Sequence, residues 1–340
     1  MKKLLGIVVL SLILIYFKRF LKVSSLLFII LTLLSSKAFA GVTFIDSFYV
    51  GSQETGPAGL AFNNDGTKMF VLGYGGDDVN EYTLTTGFDV STASFVDSFD
   101  VSSQETTPYG LAFNTDGTKM FVVGASGDDV NEYTLSTGFD VSTASFVDSF
   151  DVSSQDTTPL GLAFNTDGTK MFVVGYSGDD VNEYTLTTGF DVSTASFVDS
   201  FDVRSQDTLP FGLAFNTDGT KMFVVGAVGD DLNVYTLSTG FDVSTASFVD
   251  SFYVGSQEGD PNGLAFNNDG TKMFVVGAAG DDVNEYTLST GFEITGPTLS
   301  SSSPSDGATS VGVNDNIVLT FSKAVDAESG NIVIKKSSDD

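Results

Sequence analysis

One segment occurs five times in the chain at a constant spacing of 51 residues. The copies begin with Gly-Leu-Ala-Phe-Asn at Gly59, Gly110, Gly161, Gly212 and Gly263, with no insertion or deletion between them. A repeat of this length is one supersecondary unit that cannot bury its own apolar faces, so neighbouring copies must pack on one another. The repeat therefore predicts an array or ring of like units and excludes a fold built around one irregular core.

Each unit is predicted to contain four β-strands. The predicted strands of the first unit are residues 59–63, 68–73, 78–85 and 94–101. The first two flank an Asn-Asp-Gly-Thr turn, and Asp-Gly between apolar runs is a hairpin signal because glycine accepts positive φ. In the last two, apolar residues recur two apart, as in strands with one buried face. Asp97 falls on the face of Phe95 and Phe99, which predicts a β-bulge or a hydrogen-bonded carboxylate there.

Four antiparallel strands in a unit of this size are typical of a β-propeller blade. The first two strands are apolar on both faces, as expected of strands covered by a blade on either side. A β-helix coil would need about half as many residues, and an immunoglobulin domain about twice as many. We therefore predict an all-β, five-bladed β-propeller with 51-residue, four-stranded blades.

The two ends of the repeat region predict how the ring closes. Residues 41–50 match the fourth strand of a unit, but no first three strands precede them. The fifth unit has three strands within residues 263–288 and then reads GFEITGP where the others read GFDVSTASF. The N-terminal strand is predicted to complete this blade, so that residues 41–295 form five whole blades without an open sheet edge. The alternative is an incomplete array that needs a partner.

Residues 1–40 have the pattern of an export signal. They carry six basic residues and no acidic one, contain an apolar run at 23–34, and end in Ala38-Phe39-Ala40. Small residues at the last and third-last positions mark a cleavage site. We predict a signal peptide cleaved after Ala40, a secreted or cell-surface protein, and no membrane insertion after cleavage. A retained anchor is the alternative, although this run and an earlier one at residues 4–17 are both shorter than the ~20 residues that span a bilayer.

Composition excludes several classes of function. The chain has 44 acidic against 15 basic residues, a net charge of −29, and neither Cys nor His. Nucleic acid is excluded as a partner because phosphate binding needs clustered Lys and Arg. Disulfides, thiolate or imidazole zinc sites, Ser-His-Asp triads and cysteine nucleophiles are excluded as well.

Carboxylates remain as catalytic candidates, and five-bladed propellers include glycosidases. Such an active site needs acids in different environments, so that one is protonated while another is ionised. Near-identical blades instead place each acid in the same environment five times. The few unique residues, among them Arg204, Val234 and Asp260, form no catalytic set. We therefore predict that the protein is not an enzyme, with a carboxylate glycosidase as the weaker alternative.

The repeated segment P-x-G-L-A-F-N-x-D-G-T-K-M-F-V-V-G resembles the repeat of secreted bacterial propellers of the YVTN and NHL-like group, over residues 41–295. That group mixes surface-layer, adhesive, binding and lactonase-like members, so the resemblance implies a fold and no particular ligand. The chain departs from the group in its longer unit and in lacking the YVTN string.

Residues 296–340 resemble the opening strands of the Ig-like domain of bacterial surface-layer proteins. The resemblance rests on Ser-Pro-Ser-Asp-Gly-Ala and on predicted strands at 317–321 and 332–334. Such a sandwich needs about 100 residues, so a partial Ig-like domain of a longer protein is expected. The alternative is a Ser-rich disordered tail.

The copies differ most on one predicted face. In a propeller, the loop from the second to the third strand shares a face with the connection from blade to blade, where ligands usually bind. The predicted ligand-binding residues on this face are Ala58, Tyr109, Leu160, Phe211, Asn262, Tyr74 and Tyr176. We predict an extracellular or cell-surface recognition or adhesion module, a monomer that binds a glycan or a surface protein there. A structural spacer with no specific ligand is the alternative.

A Gly-Asp-Asp sequence precedes the third strand of every unit. Paired carboxylates suit Ca²⁺, which prefers oxygen ligands, but the same sequence forms ordinary turns and lacks the D-x-D-x-D-G ladder. Both interpretations stay open, with the turn favoured and no other cofactor predicted. The candidate metal ligands are Asp77, Asp78, Asp128, Asp129, Asp179, Asp180, Asp230, Asp231, Asp281 and Asp282. Lys68 and its four counterparts are predicted to pair with local acids.

Overall fold

The computed structural model describes residues 29–30, 41–294, 299–304, 318–321 and 335–336. Residues Phe39–Gly296 form one compact unit, and the rest of the chain forms a second. The predicted signal peptide, residues 1–40, lies outside the described residues apart from the pair at 29–30.

The first unit is a five-bladed β-propeller of four-stranded antiparallel blades, as predicted. Blade 1 consists of Pro57–Phe62, Lys68–Gly73, Asp78–Leu84 and Ala93–Asp100. Blade 2 consists of Pro108–Phe113, Lys119–Gly124, Asp129–Leu135 and Ala144–Asp151. Blade 3 consists of Pro159–Phe164, Lys170–Gly175, Asp180–Leu186 and Ala195–Asp202. Blade 4 consists of Pro210–Phe215, Lys221–Gly226, Asp231–Leu237 and Ala246–Tyr253. Blade 5 consists of Pro261–Phe266, Lys272–Gly277, Asp282–Leu288 and the N-terminal strand Val42–Tyr49.

The N-terminal strand closes the ring as predicted. Val42 lies opposite Leu288 and Tyr49 opposite Asp282, in the register that the fourth strand has in every other blade. The open edge of blade 5 is thereby paired, which removes a template for aggregation.

The predicted irregularity at Asp97 is a β-bulge. Phe95 pairs with Tyr82 and Asp97 with Glu81, so Val96 is an extra residue in the fourth strand. The Asp97 carboxylate accepts a hydrogen bond from the next backbone N–H at 2.9 Å. Its counterparts do the same at 2.9 Å in blades 2 and 3, at 3.0 Å in blade 4 and at 2.8 Å in blade 5. The bulge turns Asp97 outward while both phenylalanines keep their contacts with buried tyrosines.

Each pair of adjacent blades encloses its own apolar core. Between blades 1 and 2, the buried Phe70 ring lies 4.6 Å from Phe113 and 6.1 Å from Phe139. Met120 and Tyr133 of blade 2 are fully buried in the same cluster. Burying each such side chain stabilises the fold by roughly 1.5–3 kcal/mol, so the ring is held mainly by contacts between blades.

A glycine in each innermost strand sets the distance between neighbouring blades. A Cβ on Gly161 would lie 2.2 Å from the Phe211 carbonyl oxygen, and one on Gly263 would lie 2.0 Å from that of Ala58. No side chain fits at either position without moving a backbone. The approach is equally close where blade 5 meets blade 1, so the ring closes without a gap.

A lysine and a glutamate join each blade to the next. Lys68 donates to Glu81 Oε1 at 2.7 Å and to the Phe139 carbonyl of blade 2 at 2.6 Å. The second oxygen of Glu81 accepts from the Val141 N–H at 3.1 Å. Val141 begins a short 3-10 turn that the sequence did not predict. These turns span Val90–Thr92, Val141–Thr143, Val192–Thr194 and Val243–Thr245.

The joint between blades 4 and 5 uses a different pair. Val234 replaces the glutamate, and Lys221 pairs instead with Glu293, which follows the third strand of blade 5. Lysines therefore pair with local acids in all five blades, as predicted.

The second unit is described at four short strands. Leu299–Ser303 pairs antiparallel with Val318–Phe321, close to the predicted strand at 317–321. Ile29–Ile30 pairs with Lys335–Lys336. The predicted strand at 332–334 lies outside the described residues. Within the described part of the chain, no helix has the length and apolarity needed to cross a membrane.

Candidate ligand-binding face

The loops between second and third strands and the connections between blades lie together on one side of the ring, which we call the loop face. The two loops of a blade are hydrogen-bonded to each other. In blade 1, the Tyr74 N–H donates to the Gly56 carbonyl at 3.1 Å. The opposite side carries the Asn-Asp-Gly-Thr turns, where the Asp65 carboxylate accepts from the Thr67 N–H at 3.0 Å. These turns are structural, as the repeat predicts.

A buried carboxylate fixes each pair of loops. Glu54 is fully buried and accepts from the N–H groups of Gly56 at 2.9 Å, Gly75 at 2.8 Å and Gly76 at 3.1 Å. Burial raises the pKa of Glu54 despite these donors. Its counterparts are Glu105, Asp156, Asp207 and Glu258. Burial raises the pKa of Asp207 to about 6.

The sequence interpretation missed these acids. Their signal was the Ser-Gln-Glu or Ser-Gln-Asp sequence present in every copy. These carboxylates are buried, and their oxygens accept hydrogen bonds from backbone N–H groups. They therefore fix the loops and leave few oxygens free to bind a ligand.

Two of the predicted ligand-binding residues meet across the ring. The rings of Tyr109 in blade 2 and Phe211 in blade 4 have centroids 5.6 Å apart, although blade 3 lies between them in the chain. Tyr74, on a loop of blade 1, lies 5.3 Å from Tyr109. The three rings thus form a continuous row over the end of the central channel. Tyr74 is 38% exposed, and the other two are partly exposed.

Two polar residues of blade 5 border this row. Asn262 is 5% exposed and donates to the Pro57 carbonyl at 3.4 Å, while its side-chain oxygen has no partner among the described residues. Asp260 is partly buried, and burial, followed by the charge of Asp230, raises its pKa. Burial, followed by the negative charge of Asp260, raises the pKa of Tyr74. We call Tyr74, Tyr109, Phe211, Asp260 and Asn262 the channel-mouth cluster.

The remaining predicted binding residues lie elsewhere. Ala58 and Leu160 are 1% and 3% exposed, so they pack at the channel end without presenting a surface. Tyr176 is 53% exposed and borders an open depression of about 540 Å³ between blades 3 and 4. Beside it, the Arg204 Nε donates to the Asp179 carboxylate at 2.8 Å. A binding role for all seven residues stays a prediction.

The first aspartate of each Gly-Asp-Asp sequence is a turn residue. Asp77 has φ 56°, in the left-handed region that aspartate tolerates, and its carbonyl accepts from the Val101 N–H at 2.9 Å. Its counterparts Asp128, Asp179, Asp230 and Asp281 share the conformation. The second aspartates, Asp78, Asp129, Asp180, Asp231 and Asp282, begin the third strands.

The geometry favours the turn interpretation without testing calcium. Asp78 and Asp100 lie directly opposite each other on adjacent strands, where like charges repel. Within the described ranges, no three Asp or Glu side chains are arranged to hold a metal ion. Calcium binding stays a prediction.

The C-terminal residues match a known family. Residues 293–340 match the model of a bacterial Ig-like domain, which confirms the resemblance of this segment. No curated protein sequence matches the chain significantly.

Several solved structures resemble the chain at low identity. A functionally unknown protein from Desulfotomaculum acetoxidans DSM 771 is 13% identical, with a TM-score of 0.40 over 65% of this chain and 62% of that one. A protein from Lactobacillus plantarum is 13% identical, with a TM-score of 0.44 over 71% of each chain. A periplasmic gluconolactonase from Pseudomonas aeruginosa is 16% identical, with a TM-score of 0.41 over 68% and 66%. The lactonase name applies to that protein alone, and the fold of this chain rests on its own strand pairing.

A propeller followed by a bacterial Ig-like segment fits an extracellular or structural module. The Ig-like segment is consistent with an extracellular or cell-surface location.

Proposed function

We propose that the protein is a recognition or adhesion module, exported by the signal peptide at residues 1–40, and that it binds a glycan at the channel-mouth cluster. The observation that carries the proposal is the row of rings formed by Tyr74, Tyr109 and Phe211. Aromatic faces carry negative charge density, to which the slightly positive C–H bonds of a sugar ring are attracted. Such a row offers a platform for successive sugar units.

The distribution of differences between blades supports this site. The first-strand position that supplies Tyr109 and Phe211 holds a different residue in every blade, while the Gly-Leu-Ala-Phe that follows is the same in all five. Packing between blades explains the constant residues. Packing between blades does not require two aromatic rings to meet over the channel. A platform for a ligand does require this.

The experiment compares saccharide binding by the full chain and by two variants, Tyr109→Ala and Phe211→Ala. A glycan array, run with and without calcium, identifies the saccharide, and titration calorimetry then gives the affinity. Each variant is expected to lose about tenfold or more, since one aromatic contact contributes on the order of 1 kcal/mol beyond its buried area.

The matched control is Tyr253→Ala. Tyr253 is 52% exposed and lies on the outermost strand of blade 4, away from the channel. Affinity unchanged in the control and lost in the cluster variants supports the site. If the folded wild-type chain binds no saccharide in either condition, the glycan proposal fails and the structural spacer becomes the better interpretation.

A further inference from the structure

We infer that the saccharide bound at the channel-mouth cluster carries a free amine, as oligomers of glucosamine do. This inference rests on the proposed function and adds the charge of the ligand to it. It comes from the placement of Asp260 beside the aromatic row and from the distribution of cations around the ring.

The loop face has no cation available for an anionic ligand at the channel mouth. Within residues 41–294, the basic side chains are the five repeated lysines and Arg204. The lysines begin the second strands, at the opposite side of the ring, and each pairs with a glutamate. Arg204 lies at the junction of blades 3 and 4, where its guanidinium is paired with Asp179 and also donates to the Gly178 carbonyl at 2.9 Å. Sulfated sugars and uronic acids therefore find no counterion at the cluster.

Asp260 is a carboxylate without a counterion. The same position holds Gly56, Thr107, Thr158 and Leu209 in the other blades. In blade 2 the threonine hydroxyl is hydrogen-bonded to Ser126 of the neighbouring loop at 2.7 Å. In blade 5 that neighbour is Ala279, which has no donor, and no described residue forms a hydrogen bond or ion pair with the Asp260 side chain. The ring itself therefore gives Asp260 no structural partner.

A partly buried, unpaired carboxylate favours a cation from the ligand. Removing a carboxylate from water is unfavourable unless it is paired, so an ammonium group at Asp260 regains the lost solvation. Asp260 lies two residues before Asn262, whose side chain donates to the Pro57 carbonyl at the junction of blades 5 and 1, and the neighbouring Gly56 carbonyl accepts from the Tyr74 N–H. This placement brings the carboxylate to the side of the ring that carries Tyr74. Its charge contributes to the raised pKa of Tyr74 after burial, and to that of Tyr109 after burial and Tyr74.

The test uses three oligomer series of equal length and linkage: glucosamine, N-acetylglucosamine and glucose. Affinities are measured by calorimetry with the full chain at 150 mM NaCl. The wild type is expected to bind glucosamine oligomers about tenfold or more tightly than either neutral series. Asp260→Asn is expected to remove this preference, so that the variant binds the three series with equal affinity, and Asp260→Thr, which introduces the residue of blades 2 and 3, should do the same.

The matched control is Asp148→Asn, which removes one negative charge from the outer strand of blade 2. It should keep the amine preference. A preference that falls equally in Asp148→Asn and Asp260→Asn reflects the net charge of the protein and overturns the role of Asp260.

Two further outcomes separate this inference from the proposed function. If all three series bind equally and Tyr109→Ala weakens binding about tenfold or more, the amine inference is wrong and the glycan site stands. If no series binds to the folded wild type and the glycan array is also empty, the proposed function fails together with the inference.

Discussion

The ion pair that joins each blade to the next can be tested by giving the junction of blades 2 and 3 the residues that are found at the junction of blades 4 and 5. Glu132 is 3% exposed, pairs with Lys119 at 2.7 Å and accepts from the Val192 N–H at 3.1 Å. Glu132→Val copies the residue found at Val234. The substitution leaves Lys119, whose side chain is 27% exposed, without its carboxylate partner. It also leaves the N–H of Val192 without an acceptor.

The expected loss of stability is substantial. Breaking a buried pair costs about 3–5 kcal/mol, and Lys119 is partly solvated and keeps its bond to the Phe190 carbonyl, so we expect the lower end, about 3 kcal/mol. For a body of this size, that corresponds to a fall in melting temperature of roughly 6–12 °C.

Asp191→Glu should rescue part of this loss. Asp191 is the counterpart of Glu293, and the longer side chain gives Lys119 the partner that Lys221 has in the native protein. The N–H of Val192 stays unpaired, so about half of the loss should be recovered, a coupling of about 1–2 kcal/mol. Asp191→Glu alone should change stability by less than about 1 kcal/mol.

Urea and thermal unfolding of the full chain, followed by circular dichroism, measure the four proteins of this cycle. A cost of less than about 1 kcal/mol for Glu132→Val would refute a stabilising role of the ion pair. An equal effect of Asp191→Glu in both backgrounds would refute the rescue, because the swapped pair would then have no coupling.

Three further predictions follow from the ring and its charges. Gly161→Ala should destabilise the fold by several kcal/mol or prevent folding, because the added Cβ would lie 2.2 Å from the Phe211 carbonyl oxygen. Gly127→Ala is the control and should be tolerated, because the nearest atom to its added Cβ is at 3.4 Å. Equal melting temperatures of the two variants would contradict the close packing of the blades. The pKa of Asp207 is raised to about 6, so the folded state binds its proton more tightly than the unfolded state does. The stability of the fold should therefore rise as pH falls from 7 towards about 4.5. Asp207→Asn should flatten that rise when the melting temperature is measured across this range. Asp151 faces another aspartate across the strands of blade 2, so melting temperature should rise with NaCl, and Asp151→Asn should weaken that dependence. A further rise with Ca²⁺ at matched ionic strength would support the calcium prediction, and its absence would count against it.

Much of the ring was predictable because the same local sequence patterns occur in each of the five units. The hairpin turn at Asp65, the bulge at Asp97 and the missing fourth strand of blade 5 each follow from local rules about glycine, alternation and unit length. The contact between Tyr109 and Phe211 was not predictable, since it joins residues 102 positions apart across an axis that no local pattern specifies.

The buried acids were missed for a related physical reason. Glu54 looks like a solvated loop residue in the sequence, because an isolated buried carboxylate is costly. Three backbone N–H groups compensate it, and only the folded loops bring those donors together. The 3-10 turns went unpredicted because three residues carry no helical period.

Some residues of single blades differ from the repeat together with a second change that supplies a new contact partner, and others differ alone. Val234 removes a glutamate, and Glu293 supplies the replacement partner of Lys221. Leu209 and Val228 replace the hydroxyl pair of blades 2 and 3 together, so two apolar side chains that line the depression beside Tyr176 take the place of a hydrogen-bonded pair. Asp260 changes alone, next to an alanine. Because the described residues give the Asp260 side chain no hydrogen bond or ion pair, its partner in our proposal is the amine of the bound saccharide.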